Sequence, residues 1–153
     1  MRLYVDPFTG DELVSDAYPC KFNEEAGMLE FTGRWIEVQD DEEDPNSKRQ
    51  VIDIINNQNL QPTTLKAAQF MGWAKQYCPK RKTQLETENK ALVQPFMANA
   101  KKAMQFVGKN IKEIDFYTGS SCDPDSMLVF VRVDEENVPH IYLLAEGCNS
   151  EKC

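Results

Sequence analysis

The sequence predicts an α+β fold, in which a mostly antiparallel sheet carries a pair of antiparallel helices. The first and last thirds of the chain alternate apolar and polar residues in short runs, as half-exposed strands do. The middle third instead repeats apolar residues at helical spacing, and the order strands, helical pair, strands is typical of α+β proteins. A chain of 153 residues is long enough to form one hydrophobic core without stabilising disulfides or metal ions. We therefore expect a single domain, with a β body at residues 1–61 and 111–153 and a helical hairpin at residues 62–109.

Short runs of apolar residues place the strands. Those before the helices lie at residues 3–5, 12–15, 18–22, 28–38 and 51–55. Those after the helices lie at residues 114–117, 127–133 and 138–145. The run 127–133 is nearly all apolar and suits a buried central strand, whereas the alternating runs suit strands with one exposed face.

Two helices fill the middle of the chain. Either Thr63 or Thr64 is a candidate N-cap for the first helix, whose apolar positions continue to Cys78. Pro79 is expected to kink or end this helix, because proline lacks the amide hydrogen and its ring crowds the preceding turn. Residues 85–89 form either a short continuation or the connecting loop. The second helix spans about residues 90–107, and the short connection implies an antiparallel pair.

Charge is distributed very unevenly along the chain. The formal net charge is −8, but residues 62–112 contain ten basic and two acidic residues, a balance of +8. The remainder has a balance of −16. The acidic run Asp40–Asp44 predicts a mobile, solvated loop at about residues 39–49, since adjacent carboxylates repel and offer nothing to bury. A calcium site is the alternative, but the run lacks the alternating ligands and central glycine of an EF-hand loop.

Motifs for catalysis and for membrane insertion are missing from the sequence. There is no glycine-rich phosphate loop, and the serines after Gly119 lack the pattern of a nucleophile elbow. His140, the one histidine, is better explained as a structural residue than as a general base. An enzyme is the least favoured class. The N-terminus has no apolar signal segment and no run is long enough to span a bilayer, so we expect a cytoplasmic protein without tightly bound cofactors.

Five cysteines are present without any C-x-x-C pair, which argues against a structural zinc site. An odd count without a signal segment also argues against a disulfide framework. We expect free thiols, of which Cys153 at the chain end is exposed and open to oxidation.

The basic cluster is the strongest signal for function that the residues give. Its members on the predicted hairpin are Lys75, Lys80, Arg81, Lys82, Lys101, Lys102 and Lys109. Such a surface attracts acidic partners and speeds encounter. The alternative is an ordinary solvated helix face. Nucleic acid is a poorer partner than an acidic protein, because the rest of the chain repels phosphates.

The chain resembles the translationally controlled tumour protein (TCTP) family over nearly its whole length. The segments that carry the resemblance are, in order, Tyr4-x-Asp6, Asp11-Glu12-Leu13-x-Ser15-Asp16, Val51-x-Asp53-Ile54 to Leu60-Gln61, Gln94-Pro95-Phe96-Met97, Ile114-Asp115-Phe116-Tyr117-Thr118-Gly119 and Asp123-Pro124-Asp125-x-Met127. The chain departs from the family in a shorter acidic loop, in Ser120 where a glutamate is usual, and in Pro79 within the first long helix.

This resemblance implies a β-tent body similar to a chaperone of Rab-type GTPases, with a protruding helical hairpin. It also implies a growth-associated protein that binds tubulin and, weakly, calcium. The candidate oxygen ligands are Glu113, Asp115, Asp123 and Asp125, although the last two also fit an ordinary turn. A dimer linked through Cys153 is compatible with the resemblance.

Three hypotheses for function follow. The first is a non-enzymatic protein-binding factor whose basic hairpin engages acidic surfaces such as tubulin tails. The second is a regulator of a Rheb-type small GTPase, for which the resemblance implies Glu12 as the contact residue. The third is a calcium buffer, suggested by the 25 acidic residues.

Overall fold

A six-stranded antiparallel sheet forms the centre of the structure, a computed structural model that describes residues 1–152. Its strands, in spatial order, are β3 (Cys20–Asn23), β4 (Met28–Thr32), β10 (Pro139–Leu143), β9 (Val129–Val133), β8 (Asp115–Thr118) and β7 (Gln61–Thr63). The apolar strand β9 lies inside this sheet between β10 and β8, where both neighbours cover its edges. The prediction of a buried strand at 127–133 is therefore confirmed.

Two smaller antiparallel sheets complete the β body. In the first, β1 (Arg2–Val5) lies between β2 (Glu12–Ser15) and β11 (Asn149–Lys152), so the two ends of the chain pair with each other. The second is a hairpin of β5 (Trp35–Gln39) and β6 (Lys48–Ile52). The predicted run 28–38 is thus two strands in two different sheets, separated at Gly33.

Three α-helices lie between the strands: α1 (Asp53–Asn57), α2 (Ala67–Glu88) and α3 (Val93–Lys109). The short helix α1 corrects the strand predicted at 51–55, which ends at Ile52. Asp53 explains the change, because its buried carboxylate accepts the amide of Arg34 at 2.9 Å and that of Ile54 at 2.8 Å. An aspartate in the first turn also favours a helix start.

Pro79 was predicted to kink or end the first long helix, and the prediction of an end is wrong. The helix continues nine residues beyond it, to Glu88. Pro79 removes the hydrogen bond to the Lys75 carbonyl, and both residues are exposed, so water replaces the lost donor. Tyr77 and Arg81 are buried on either side of the proline and hold the backbone to the body.

The acidic connection between β5 and β6 is shorter than the predicted loop 39–49, because the two strands pair as far as Gln39 and Lys48. Its backbone carbonyls are hydrogen-bonded, because the side-chain Nε2 of Gln39 donates to those of Asp41, Glu42 and Asp44. Asp40 forms an ion pair with Arg49 at 2.8 Å. The mobility of this connection stays a prediction.

Aromatic residues join α2 to the central sheet. Phe70 lies 5.6 Å from Phe116 and 6.1 Å from Phe130, measured between ring centroids, and Trp73 stacks on Tyr77 at 5.1 Å. The Trp73 indole donates to the Ser126 carbonyl at 2.7 Å. The hairpin of α2 and α3 is therefore fixed on the body by one face and leaves its outer face to solvent.

Candidate functional site: the basic helical hairpin

Arg81 does not belong to the exposed basic surface. Only 1% of this residue is accessible to solvent. Its Nε donates to the Glu146 carbonyl at 3.0 Å and its Nη2 to the Cys148 carbonyl at 2.9 Å, while Nη1 donates to Gln84 at 2.7 Å. Burial lowers the pKa of this guanidinium. The prediction of Arg81 as a partner-binding residue is therefore corrected: it anchors α2 to the chain just before β11.

The neighbouring residue Lys80 lies on a different side of α2. Its Nζ is 4.0 Å from the ring centroid of Phe8, a cation–π contact, and Phe8 in turn packs edge-on against Tyr77. Successive residues of a helix point about 100° apart, so the run of three bases cannot share one surface. Lys80 lies beside the N-terminal turn and is directed away from Lys82.

Lys82 and Lys101 face each other across a groove between α2 and α3. The groove holds about 420 Å³, and its other lining residues are Cys78, Pro79, Phe96, Met97, Ala100 and Met104. The lining is almost entirely apolar apart from the two lysines. This groove brings together two of the seven predicted basic residues, which lie far apart in the sequence.

The remaining predicted lysines, Lys75, Lys102 and Lys109, are exposed on the hairpin. Lys102 lies beside Gly27 in the turn between β3 and β4, where φ is +66° and an added Cβ would come within 2.8 Å of the Lys102 Cβ. Within residues 1–152, no carboxylate lies within 4.0 Å of any hairpin lysine. The hairpin therefore carries uncompensated positive charge distributed over several sides, not one continuous patch.

Exposed methionines are the feature that the sequence reasoning missed. Met97 follows the helical spacing of the apolar residues on α3, yet 43% of it is exposed, and Met71 on α2 is 46% exposed. The signal was present, because the apolar stripe of α3 is wider than one buried face requires. The buried side of α3 consists instead of Val93, Phe96, Ala100, Ala103, Phe106 and Val107.

The four candidate calcium ligands do not form one site. Glu113 pairs with Arg132 at 2.8 Å, and Asp115 begins β8. Asp123 lies in the loop after the other end of β8, where its carboxylate accepts the amide of Asp125 at 3.0 Å. In the part of the chain that the structure describes, no three acidic, cysteine or histidine residues form a group that could hold a metal ion. The turn explanation of Asp123 and Asp125 is the one the geometry supports.

Glu12 is exposed at the start of β2, opposite Val5 of β1. Since β2 is an edge strand of its sheet, the carboxylate lies on an accessible rim of the body. The function of Glu12 as a GTPase contact stays a prediction.

His140 occupies a structural position between two carboxylates. Its Nε2 is 2.8 Å from Asp134 Oδ2, and its Nδ1 is 3.4 Å from Glu30 Oε2. Hydrogen bonds from the His140 ring and the Val138 amide lower the pKa of Asp134. Burial would raise the pKa of Glu30, but the hydrogen bond from Asn23 and the charges of Lys21 and His140 outweigh it and lower that pKa.

Glu30→Gln is expected to lower the free energy of unfolding at pH 7 by about 1–2 kcal/mol, because a hydrogen-bonded carboxylate is lost. A carboxyl group whose folded-state pKa is lowered stabilises the protein above its unfolded pKa of about 4.5 and loses this effect as the pH falls through the folded value. Urea unfolding at pH 7 and at pH 3.5 measures the difference, with exposed Glu37→Gln as control. An equal loss at both pH values would contradict this assignment.

Burial raises the pKa values of several cysteine thiols. This holds for Cys20, Cys78 and Cys148, of which Cys148 is buried. Higher thiol pKa values reduce thiolate reactivity. Cys153 lies outside the described residues, so its role in a dimer stays a prediction. Among the described residues, no helix is long and apolar enough to cross a membrane.

The fold and the hairpin together define a class of protein: an antiparallel β body on which two long antiparallel helices are mounted with an exposed, cationic outer face. A family model described as "Translationally controlled tumour protein" matches residues 1–149. The chain belongs to the TCTP family.

Individual relatives agree with this result. The chain is 33% identical to the translationally-controlled tumor protein homolog of Danio rerio and 30% identical to that of Schizosaccharomyces pombe, covering at least 99% of both chains in each case. The solved structure of the tumor-associated protein p23fyp from Schizosaccharomyces pombe superposes with a TM-score of 0.83 at 30% identity, over the full length of both chains. A solution structure of the Caenorhabditis elegans protein gives a TM-score of 0.70 at 23% identity, which supports the fold alone. The predicted family and α+β fold are confirmed.

Proposed function

We propose that this chain is a non-enzymatic protein-binding factor that binds acidic protein surfaces, tubulin and microtubules among them, through the helical hairpin. The observation that carries the proposal is the uncompensated charge on α2 and α3, above all Lys82 and Lys101 on the two sides of one groove. An anionic body of balance −16 repels acidic partners elsewhere and so directs them to the hairpin. The family resemblance supports a cytosolic place of action.

Removing two of these charges tests the proposal. We expect Lys82→Ala combined with Lys101→Ala to weaken microtubule cosedimentation about fivefold at 50 mM salt, because each exposed charge contributes up to about 1 kcal/mol. At 300 mM salt the difference shrinks, since the shorter Debye length screens the contacts. Arg81 is left intact because it is buried and its loss is expected to destabilise the fold.

Lys48→Ala combined with Lys152→Ala is the matched control, as it removes the same total charge from β6 and β11. Equal weakening by both pairs would indicate that net charge alone matters and would contradict a hairpin site. If the Lys82 and Lys101 variant binds microtubules as tightly as wild type at both salt concentrations, these two charges do not contribute to binding and the electrostatic explanation is wrong.

Calcium enters this proposal only as weak association with the acidic surface. The carboxylates of the β5–β6 connection are exposed, and those near Glu113 border a shallow acidic depression that also contains Arg132. Separated, solvated carboxylates attract divalent ions without the fixed six to eight oxygen ligands of a dedicated calcium site.

Regulation of a Rheb-type small GTPase is the second candidate function, favoured by the exposure of Glu12 on the edge strand β2. If this function holds, the wild-type protein accelerates release of a fluorescent guanine nucleotide, and Glu12→Ala loses most of that acceleration. Glu24→Ala, which changes an exposed acid elsewhere on the body, is the control. The absence of acceleration by wild type, or its persistence in Glu12→Ala, would count against this role.

A further inference from the structure

The groove between α2 and α3 is an exposed apolar surface in the middle of the basic hairpin. Its floor is formed by Phe96 and Ala100, which are buried, and its walls by the side chains of Cys78, Met97 and Met104. Met71 extends the same side of α2, since residues seven apart lie on one helix face.

The chemistry of these walls suits a partner that brings its own apolar surface. Methionine side chains are flexible and polarizable, and surfaces rich in them adapt to different apolar ligands. Met97, which is 43% exposed, keeps apolar area in water that a partner could bury. A groove between two packed helices accepts a third helix in the way that helix-binding proteins do.

Backbone chemistry excludes an extended strand as the occupant. The walls belong to α2 and α3, whose amide and carbonyl groups are used within the helices, so there is no free strand edge for β-addition. An occupant must therefore bind through side chains, which a helix presents at positions i, i+3, i+4 and i+7.

The charges at the rim determine the polarity of the partner. Lys82 and Lys101 lie on opposite sides of the groove, and no carboxylate among residues 1–152 lies within 4.0 Å of either. A helix lying between them meets a positive charge on each flank. Acidic residues on both sides of its apolar stripe complement these lysines, whereas basic residues are repelled.

We infer that this groove binds an amphipathic α-helix whose apolar face is flanked by acidic residues. The inference rests on the proposed function, that the hairpin contacts acidic partners, and adds the conformation and pattern of the partner. The apolar groove supplies affinity, and the two lysines set orientation and select against basic helices.

The probe is a synthetic helical peptide of about 16 residues, roughly four to five turns, with leucines along one face and glutamates on both flanks. A scrambled peptide of the same composition tests for charge alone. Fluorescence anisotropy with the full chain is expected to show binding of the helical peptide at least about tenfold tighter than that of the scrambled one, a difference of 1.4 kcal/mol.

Met97→Glu and Gln105→Glu form the matched pair of variants. Both residues are exposed on α3 and both changes add one negative charge, but only Met97 lines the groove. Met97→Glu should weaken binding of the helical peptide about tenfold or more, because it places a charge against the apolar face of the peptide. Gln105→Glu should weaken this binding less than about threefold. Equal effects of the two changes would overturn the inference. Met97→Ala provides a milder change at the same position.

Methyl resonances of the methionines provide a direct readout. Addition of the helical peptide should shift the ε-methyl signals of Met97 and Met104 and leave those of buried Met28 and Met127 unchanged. Shifts of Met97 that follow protein concentration without peptide would mean that a second copy occupies the groove, which contradicts the inference.

Different results would contradict the helix-binding groove and the binding of acidic partners by the hairpin. If helical and scrambled peptides bind equally, the hairpin still attracts acidic partners but the groove is not a helix site. If neither peptide binds at 50 mM salt while microtubules also fail to bind, the proposed function falls together with the inference.

Discussion

Arg81→Ala is expected to lower the free energy of unfolding by about 3–5 kcal/mol. The change removes the donors to the carbonyl of buried Cys148 and to that of half-buried Glu146, and an unsatisfied buried group costs about 1–3 kcal/mol. A cavity left by the large side chain adds to this loss. The measurement is urea unfolding at pH 7, followed by circular dichroism.

A second substitution separates the hydrogen bonds from the volume. Arg81→Met keeps most of the apolar stem and removes a buried charge, which relieves its desolvation cost. We therefore expect Arg81→Met to lie between wild type and Arg81→Ala. Lys82→Ala, one residue further, should change stability by less than about 0.5 kcal/mol, as exposed sites do. Wild-type stability of Arg81→Met would show that these hydrogen bonds do not anchor α2.

Asp6→Ala is expected to cost a similar amount, about 3–5 kcal/mol. The carboxylate is 2% exposed and accepts four hydrogen bonds from the chain. The donors are the hydroxyl of Ser126 at 2.6 Å and the amides of Phe8 at 2.9 Å, Thr9 at 3.2 Å and Met127 at 3.0 Å. The change leaves the buried donors of Ser126 and Met127 and the half-buried amides of Phe8 and Thr9 without an acceptor, and hydrogen bonds to charged groups contribute more than neutral ones.

The isosteric change distinguishes charge from shape at this position. Asp6→Asn turns one acceptor oxygen into an NH₂ group, which opposes one of the surrounding donors, so we expect at least half of the loss to remain. Asp125→Ala, an exposed acid in the neighbouring loop, should alter the unfolding free energy by less than about 0.5 kcal/mol. If Asp6→Asn unfolds at the wild-type urea concentration, the negative charge is not required.

Asp6 also explains why two separate sequence segments carry the family resemblance. The segment Tyr4-x-Asp6 and the segment ending at Met127 meet at this carboxylate, which joins the sheet of β1, β2 and β11 to the loop before β9. In this chain their chemistry is therefore structural. The turn at Asp123 and Asp125 positions Ser126 and Met127 through hydrogen bonds from the amides of Asp125 and Ser126 to Asp123.

The architecture could be predicted from the sequence because the spacing of apolar residues shows which face of each strand or helix is buried. The strands, the helical pair and their antiparallel arrangement all follow from such patterns. Prediction from these patterns failed at Pro79 and at Asp53, where contacts with distant parts of the chain override the local conformational preference. Buried Tyr77 and Arg81 hold α2 to the body on both sides of an exposed proline. The amide of Arg34 binds the Asp53 carboxylate and favours a helix where a strand was expected.

The sequence predicted the positive charge of the candidate site but not how its side chains are arranged. Composition located an excess of positive charge in residues 62–112, but it could not show that Lys80, Arg81 and Lys82 point three ways around one helix. Nor could it distinguish exposed Met97 from the buried stripe beside it. Both distinctions depend on how α2 and α3 pack on the body, which periodicity within one helix does not fix.

Amide chemical-shift mapping of the full chain with an acidic tubulin-tail peptide at 50 mM salt tests the central claim, that the protein works by contact through its hairpin. The account predicts shifts concentrated on the solvent-facing residues of α2 and α3 around Lys82 and Lys101, which fade as salt increases. Shifts centred on the β body, or none at all at this ionic strength, would contradict it.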